Sequence, residues 1–162
     1  MKLGVISDTH GYINPKVFPI FEGVGQILHA GDIGSEDIIT TLEAIAPVQA
    51  IHGNIDTFPM STRYPAVLTL DINGALICII HDFFGLPDPR ITDAVQNSGK
   101  KNLDLLIYGH SHEAKLARNG EVLLFNPGAA GKQRFSLRPA VGLLTVSESG
   151  ELTPEICYLN PD

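Results

Sequence analysis

Short apolar runs that each end in a polar residue beside glycine recur along this chain and constrain its fold more than any other feature. The first run, Leu3–Ile6, passes into Ser7-Asp8-Thr9-His10-Gly11. Similar runs lead into Gly31-Asp32, Gly53-Asn54, His81 and Gly109-His110-Ser111-His112. Continuous apolar runs are typical of strands buried on both faces, and ligands of open α/β sheets bind beyond the carboxyl ends of such strands. We therefore expect these polar residues to gather at one edge of a sheet.

The first third of the chain alternates strand patterns with helix patterns. Pro15 can open a short helix with Val17 and Phe21 on its apolar face, and Ser35 is a typical N-cap for a second helix that Pro47 ends. Strand, helix, strand, helix and strand at this spacing predict parallel strands joined by right-handed crossovers.

The rest of the chain is richer in strands. Hairpins are predicted at Asn73-Gly74, at Asn119-Gly120 and around Ser149-Gly150, and a further buried strand lies within residues 103–108. A helix is predicted over Pro89–Val95. Together these patterns predict one α/β domain over residues 1–162, built as a sandwich of mixed sheets.

The composition limits the classes of partner. A net charge of −7 disfavours a protein that grips nucleic acid or an anionic membrane through bulk charge, and no apolar run reaches membrane-spanning length. The two cysteines, Cys78 and Cys157, lie in strand patterns and are interpreted as buried apolar residues, so a reducing cytoplasm is expected. Basic residues follow the later motifs, where a solvated surface is favoured over a phosphate-binding rim; they are Lys115, Arg118, Lys132, Arg134 and Arg138.

The polar residues at the strand ends suit divalent metal ions when they are taken together. Each one alone has a simpler interpretation, because Gly-Asp and Gly-Asn are usually turns and a lone His81 is usually structural. As a set they offer carboxylates, imidazoles and one amide oxygen without thiolates, which suits Mn²⁺, Fe²⁺ or Zn²⁺. Two metal ions need a bridging carboxylate and about three further ligands each. The other two histidines, His29 and His52, lie within strand patterns and are interpreted as structural or as supports of the ligands.

These motifs, in this order, resemble the signature blocks of the calcineurin-like metallophosphoesterases, and most of all their small prokaryotic phosphodiesterase branch. The resemblance extends from Lys2 to about Val146; its blocks are Asp8-x-His10, Gly31-Asp32, Gly53-Asn54-x-Asp56, Gly109-His110-Ser111-His112 and Asn126-Pro127-Gly128. It implies a four-layered αββα sandwich with two metal ions at the strand ends. The first ion would be held by Asp8, His10, Asp32 and His112, and the second by Asp32, Asn54, His81 and His110.

The resemblance also implies an activity. Water activated by two divalent metal ions, Mn²⁺ first among Mn, Fe, Zn and Ni, would hydrolyse a small phosphodiester, with Asp32, Asn54 and His81 as catalytic residues. Asp56 and Asn126 would act next to the ligands or beside the substrate. No Ser/His/Asp or Cys/His set suggests a protein nucleophile. We expect no membrane partner and no extended nucleic-acid groove, and the sequence leaves a homo-oligomer open.

Two departures from the family pattern bear on mechanism. The wider superfamily often has a histidine after the motif asparagine, where it helps to protonate the leaving group; Ile55 stands here, which predicts a preference for good leaving groups. His81 is followed by Asp82 in place of the usual glycine, and Asp82 is either an ion-pairing surface residue or a group that repels anions. The rival interpretations are a metal-binding scaffold of the same fold, as in a eukaryotic retromer subunit, a phosphomonoesterase and a nuclease.

Overall fold

The first of two mixed sheets carries the alternating half of the chain. In a computed structural model that describes residues 1–160, its strands are β1 (Lys2–Ile6), β2 (Gln26–His29), β3 (Val48–Ala50), β9 (Ala140–Val146) and β10 (Leu152–Tyr158). Their order across the sheet is β10-β9-β1-β2-β3. The pairs β1–β2 and β2–β3 are parallel, whereas β9 is antiparallel to both β1 and β10. The predicted parallel arrangement of the first three strands is confirmed.

The second sheet holds the remaining strands: β4 (Val67–Ile72), β5 (Ala75–Ile80), β6 (Leu105–Ile107), β7 (Lys115–Asn119) and β8 (Val122–Asn126). Their order is β4-β5-β6-β8-β7, with β5, β6 and β8 mutually parallel and the two edge strands antiparallel to their neighbours. All three predicted hairpins are present, as the pairs β4–β5, β7–β8 and β9–β10.

Within residues 1–160 four helices connect these strands: α1 (Val17–Phe21), α2 (Glu36–Glu43), α3 (Met60–Arg63) and α4 (Pro89–Ser98). The Ser35 hydroxyl accepts a hydrogen bond from the Asp37 amide and caps α2 as predicted. The helix α1 begins at Val17, two residues after Pro15. The short helix α3 has no amphipathic repeat in the sequence and was not predicted, and α4 runs past Val95 to the left-handed C-cap Gly99.

The buried apolar side chains of the described residues divide into three clusters that define four layers. The central cluster lies between the sheets and includes Leu3, Leu28, Ile77 and Phe125. A second cluster packs α1 and α2 on the outer face of the first sheet, and a third packs α4 on the outer face of the second sheet. Each large side chain buried in this way contributes roughly 1.5–3 kcal/mol to folding. The layers therefore run helix, sheet, sheet, helix, as the resemblance implied.

The layering brings the carboxyl ends of the parallel strands of both sheets to one edge of the molecule. The amide after β1, at Asp8, donates to Gly31 O after β2, and the amide of Ala130, after β8, donates to Ser7 O. Between the sheets, His81 Nδ1 lies 2.8 Å from Ala30 O. Within residues 1–160 no helix is long and apolar enough to cross a membrane.

Candidate metal centre

Seven side chains singled out in the sequence converge where the strand ends of the two sheets meet. Asp8 and His10 follow β1, Asp32 follows β2 and Asn54 follows β3; His81 follows β5, while His110 and His112 follow β6. Six of them form two groups of three, and within each group the potential ligand atoms lie within 4.8 Å of one another. The first group is Asp8, His10 and His112; the second is Asp32, His81 and His110.

The first group is built around the buried carboxylate of Asp8. Its Oδ2 accepts hydrogen bonds from the Ser7 hydroxyl at 2.7 Å and from the His110 amide at 3.1 Å, which fixes its orientation. Its Oδ1 points at the other members of the group, 3.2 Å from His112 Nε2 and 3.7 Å from His10 Nε2. The two Nε2 atoms are 3.3 Å apart, so three potential ligand atoms face one point.

The second group contains Asp32, His81 and His110, with Asn54 between the two histidines. The Asn54 amide oxygen lies 3.0 Å from His81 Nε2 and 3.0 Å from His110 Nδ1. Asp32 Oδ1 is 3.3 Å from His81 Nε2 and accepts a hydrogen bond from the Ile55 amide at 3.0 Å. Asn54 therefore sits where an amide oxygen could serve as the fourth ligand of this group.

Asp32 faces both groups with different oxygens. Its Oδ2 lies 3.6 Å from His10 Nε2, whereas its Oδ1 faces His81. A carboxylate that presents one oxygen to each of two neighbouring sites has the geometry needed to bridge two metal ions.

Two details show that the groups fit cations. Among residues 1–160, Asp8 Oδ1 accepts no hydrogen bond although it is fully buried. Because a carbonyl can only accept, the Nδ1–H of His81 must donate to Ala30 O, so in the neutral ring the Nε2 lone pair faces the oxygens of Asn54 and Asp32. A bound cation would satisfy the unpaired oxygen and the facing acceptors together.

The histidines of this cluster lower the pKa of its two buried carboxylates. Burial alone would raise the pKa of Asp8, but the neighbouring imidazoles of His10, His112 and His81 outweigh it and hold that pKa well below the ordinary value. Burial likewise opposes the net lowering of the pKa of Asp32, which His81 and the Ile55 amide produce. Both carboxylates are therefore ionised at neutral pH, as metal ligands must be.

The backbone delivers these side chains in a way that differs from the expectation. We expected Asp8 and His10 to share a target because alternate residues of an extended chain point the same way. Both instead have left-handed backbone conformations, and so do three other members of the site; the φ angles are 53° at Asp8, 48° at His10, 53° at Asp32, 68° at His110 and 62° at His112. These five residues converge because β1, β2 and β6 are each followed by a left-handed turn.

Asp56 and Asn126 lie behind the two groups and hold the loops that carry them. The Asp56 carboxylate accepts hydrogen bonds from the amides of Ile33, Gly34 and Gly53 and is only 3% exposed, so it ties the loop after β2 to the loop after β3. The Asn126 amide group donates to Gly109 O and to the Ser111 hydroxyl, both at 3.0 Å. These contacts favour a supporting role over contact with substrate.

The structure places Ile55 and Asp82, the two departures from the family pattern, in different surroundings. Ile55 is 40% exposed and lines a cavity with Asn54 and His110, and its side chain has no proton to give. Asp82 forms an ion pair with Arg90 at 2.6 Å, and Arg90 also donates to the Asp82 carbonyl at 2.8 Å. Of the two interpretations of Asp82, the ion-pairing residue is the one with structural support.

Ser7 was given no role in the site from the sequence, whereas His29 was interpreted there as structural or as a support of the ligands. Ser7 orients Asp8, and no sequence pattern separates it from other serines. His29 is fully buried, accepts from the Gly31 amide at Nδ1 and lies 3.0 Å from the Thr9 hydroxyl, which itself donates to Ile33 O. His29 thus supports the ligand loops, whereas His52 belongs to neither group.

Comparison with known proteins identifies the family. The model of the calcineurin-like phosphoesterase superfamily domain matches residues 1–149. The chain is a member of the calcineurin-like phosphoesterase superfamily. A probable metallophosphoesterase of Methanothermobacter thermautotrophicus is 35% identical over 153 residues, covering 90% of this chain and 86% of the relative. The phosphodiesterase MJ0936 of Methanocaldococcus jannaschii is 30% identical over 159 residues, covering 89% of this chain and 92% of the relative.

Solved structures agree on the fold of this superfamily member. A zinc complex of Vps29 from Entamoeba histolytica superposes with a TM-score of 0.71 at 22% identity, covering 99% of this chain and all of that one. At this level of identity the likeness shows the fold alone. The family and the two ligand groups together indicate a metal-binding phosphoesterase.

Proposed function

We propose that the chain is a hydrolase of phosphodiesters that works with two divalent metal ions. The observation that carries the proposal is the pair of ligand groups joined by Asp32 at the floor of an open cavity. Asp8, His10, Asp32 and His112 would hold one ion, and Asp32, Asn54, His81 and His110 the other. Bound there, the ions would supply an activated water and offset the charge of the phosphoryl oxygens.

The chain's own residues would prepare the site for that chemistry. His81 would be held as a neutral ligand by donating its Nδ1 proton to Ala30 O, and Asp56 would keep Asp32 and Asn54 in register. Asn54 is exposed to the cavity, and its amide NH₂ could donate to a phosphoryl oxygen as negative charge develops there. With Ile55 in place of an acid, the leaving group would have to depart without a proton from this position.

The proposal extends to the metal, the substrate size and the compartment. A nitrogen and oxygen ligand set without thiolate suits Mn²⁺ first, with Fe, Zn and Ni as alternatives. The cavities at the site measure about 260 and 310 Å³, which suits a small diester more than a long strand. Both cysteines are free thiols, which supports a reducing cytoplasm.

The test is hydrolysis of bis-p-nitrophenyl phosphate by metal-stripped protein with and without added Mn²⁺. We expect metal-dependent cleavage that Asp32→Ala abolishes and that the control Asp93→Ala, at an exposed position on α4, retains. Parallel reactions with the monoester p-nitrophenyl phosphate would separate a diesterase from a monoesterase. Absence of turnover with both esters, although two metal ions bind, would overturn the proposal in favour of a scaffold.

A further inference from the structure

The loop between β8 and β9 forms one wall of the candidate metal centre. Residues 127–139 contain no helix or strand, and long loops of this kind are often functional. The loop is fastened to the end of β1, because the amides of Ala130 and Gly131 donate to Ser7 O and Asp8 O. A Cβ at Gly131 would lie 2.7 Å from Thr9 O, so glycine is needed for this close approach. The loop therefore stands at a fixed position beside the ligands.

One half of this wall is cationic. Lys132 and Arg134 line a cavity of about 260 Å³ together with Asp8, His10 and His112. Within residues 1–160 neither Lys132 nor Arg134 forms an ion pair with a carboxylate, although acidic residues outnumber basic ones by 18 to 11. The Lys132 ammonium stands 5.7 Å from the centre of the Tyr12 ring. Two uncompensated cations at the rim of the site favour a negatively charged group in addition to the reacting phosphate.

The other half of the wall is apolar. A second cavity of about 310 Å³ shares His10, His112 and Arg134 with the first and continues to Ile55, Phe135 and Leu137. Phe135 is 95% exposed, the highest value among the large apolar side chains, and has a φ of 53°. A left-handed conformation is strained at a bulky residue, so the loop holds this ring in solvent against a conformational preference. An exposed ring beside an apolar floor suits a planar aromatic partner.

The two cavities meet at the ligands, and we infer that they receive the two arms of an asymmetric phosphodiester. One arm carries an aromatic ring that stacks on Phe135 over Ile55; the other carries a second anionic group that pairs with Lys132 and Arg134. The inference rests on the phosphodiesterase function proposed above and adds the substrate class. A dinucleotide with a terminal 5′-phosphate has this chemistry, because the scissile diester lies between a base and a phosphorylated nucleoside.

The test compares the 5′-phosphorylated dinucleotide of deoxyadenosine with the same dinucleotide lacking the 5′-phosphate. Equilibrium binding to metal-free protein in EDTA gives each Kd without turnover. We expect the 5′-phosphate to tighten binding about fivefold or more, consistent with a charge-assisted hydrogen bond. Lys132→Gln should lower the ratio of the two Kd values and the double variant Lys132→Gln/Arg134→Gln should bring it close to one, whereas Lys132→Arg should keep it. The control is Lys101→Gln, which should also keep the ratio. Lys101 is an exposed lysine that precedes the amino end of β6, whereas the ligands follow its carboxyl end.

The aromatic arm is tested at the other cavity. Phe135→Ser should weaken the binding of both dinucleotides by about fivefold or more, because a base would lose the aromatic ring on which it stacks, and Phe135→Tyr should restore binding. Equal Kd values for the two dinucleotides in the wild-type chain, or no effect of Phe135→Ser on either, would overturn the inference. Failure to hydrolyse bis-p-nitrophenyl phosphate with Mn²⁺ would overturn the proposed function instead, because the binding ratios are measured without catalysis.

Discussion

At the scale of single residues, Ile55 occupies a position beside the ligands from which a side chain with a proton could assist the leaving group. It lines the cavity together with Asn54, and its side chain has no proton to give to a leaving group. We expect Ile55→His to raise kcat/KM for aryl diesters with poor leaving groups by about tenfold to a hundredfold, because a positioned acid typically contributes that much or more. The measurement is kcat/KM across a series of aryl diesters plotted against the pKa of the leaving phenol.

The control for this substitution is Ile55→Gln, which has a polar side chain of similar length without an acid. The slope of the plot should become shallower in Ile55→His and stay as in the wild type in Ile55→Gln. Equal slopes in all three proteins would show that the residue after Asn54 does not limit departure of the leaving group.

His29 links the site to the pH dependence of folding. Complete burial lowers its pKa from 6.5 to about 4, so the folded chain resists protonation that the unfolded chain accepts. The stability that neutral His29 contributes is therefore complete above pH 6.5 and is lost as the pH falls toward 4, a change of about 3 kcal/mol. Urea unfolding of metal-free protein between pH 7 and 4 should show this decline, and His29→Asn should flatten it. An identical slope in the variant would contradict this account.

At the scale of elements, the turn after β6 must approach the end of β1 closely. A Cβ on Gly109 would collide with the Ser7 hydroxyl and lie 2.7 Å from Asp8 Oδ2. Gly109→Ala should therefore displace the loop that carries His110 and His112 and weaken metal binding by about tenfold to a hundredfold. Gly25→Ala is the matched control, because its nearest neighbour would be 3.7 Å away. Metal titration by calorimetry measures both, and unchanged affinity in Gly109→Ala would refute the close-approach argument.

The strands and the polar residues at their carboxyl ends could be predicted from the sequence, because buried strands are apolar and their ends are abrupt. The helix α3 could not, since four residues are too few to show a helical repeat. The left-handed turns at Asp8 and His10 were missed for a different reason. Such conformations are rare at residues other than glycine and are imposed by tertiary packing, so local pattern does not reveal them.

At the scale of the whole molecule, the candidate centre joins the two sheets. Asp8, His10, Asp32 and Asn54 come from the first sheet, and His81, His110 and His112 from the second. A metal ion that binds only the folded chain should raise its free energy of unfolding by about 2.7 kcal/mol at a hundred times its Kd. Calorimetric melting with Mn²⁺ and with EDTA tests this expectation. Asp32→Ala should lose most of the increase, and a Tm independent of metal would contradict the site.

The layered sandwich followed from the sequence together with the family resemblance, whereas the wall formed by residues 127–139 did not. The favoured interpretation of the basic residues was a solvated surface, and it suits Lys115 and Arg118 on the edge strand β7. Lys132 and Arg134 instead face the ligands. Nothing in the local sequence distinguishes these pairs, because their positions depend on how the loop is fastened to the end of a strand more than a hundred residues away.

The left-handed turns of the candidate centre lower the stability of the folded chain, so replacing a ligand there with glycine should raise it. In metal-free protein, His10→Gly should be more stable than His10→Ala by about 1 kcal/mol, because only glycine adopts a φ of 48° without strain. The order of stability should reverse at the exposed helical position Thr40, where Thr40→Ala should have a higher free energy of unfolding than Thr40→Gly. Urea unfolding of the four variants decides the matter; the same order at both positions would refute it. A lineage released from selection for catalysis should therefore drift toward glycine at these turns while the sandwich itself persists.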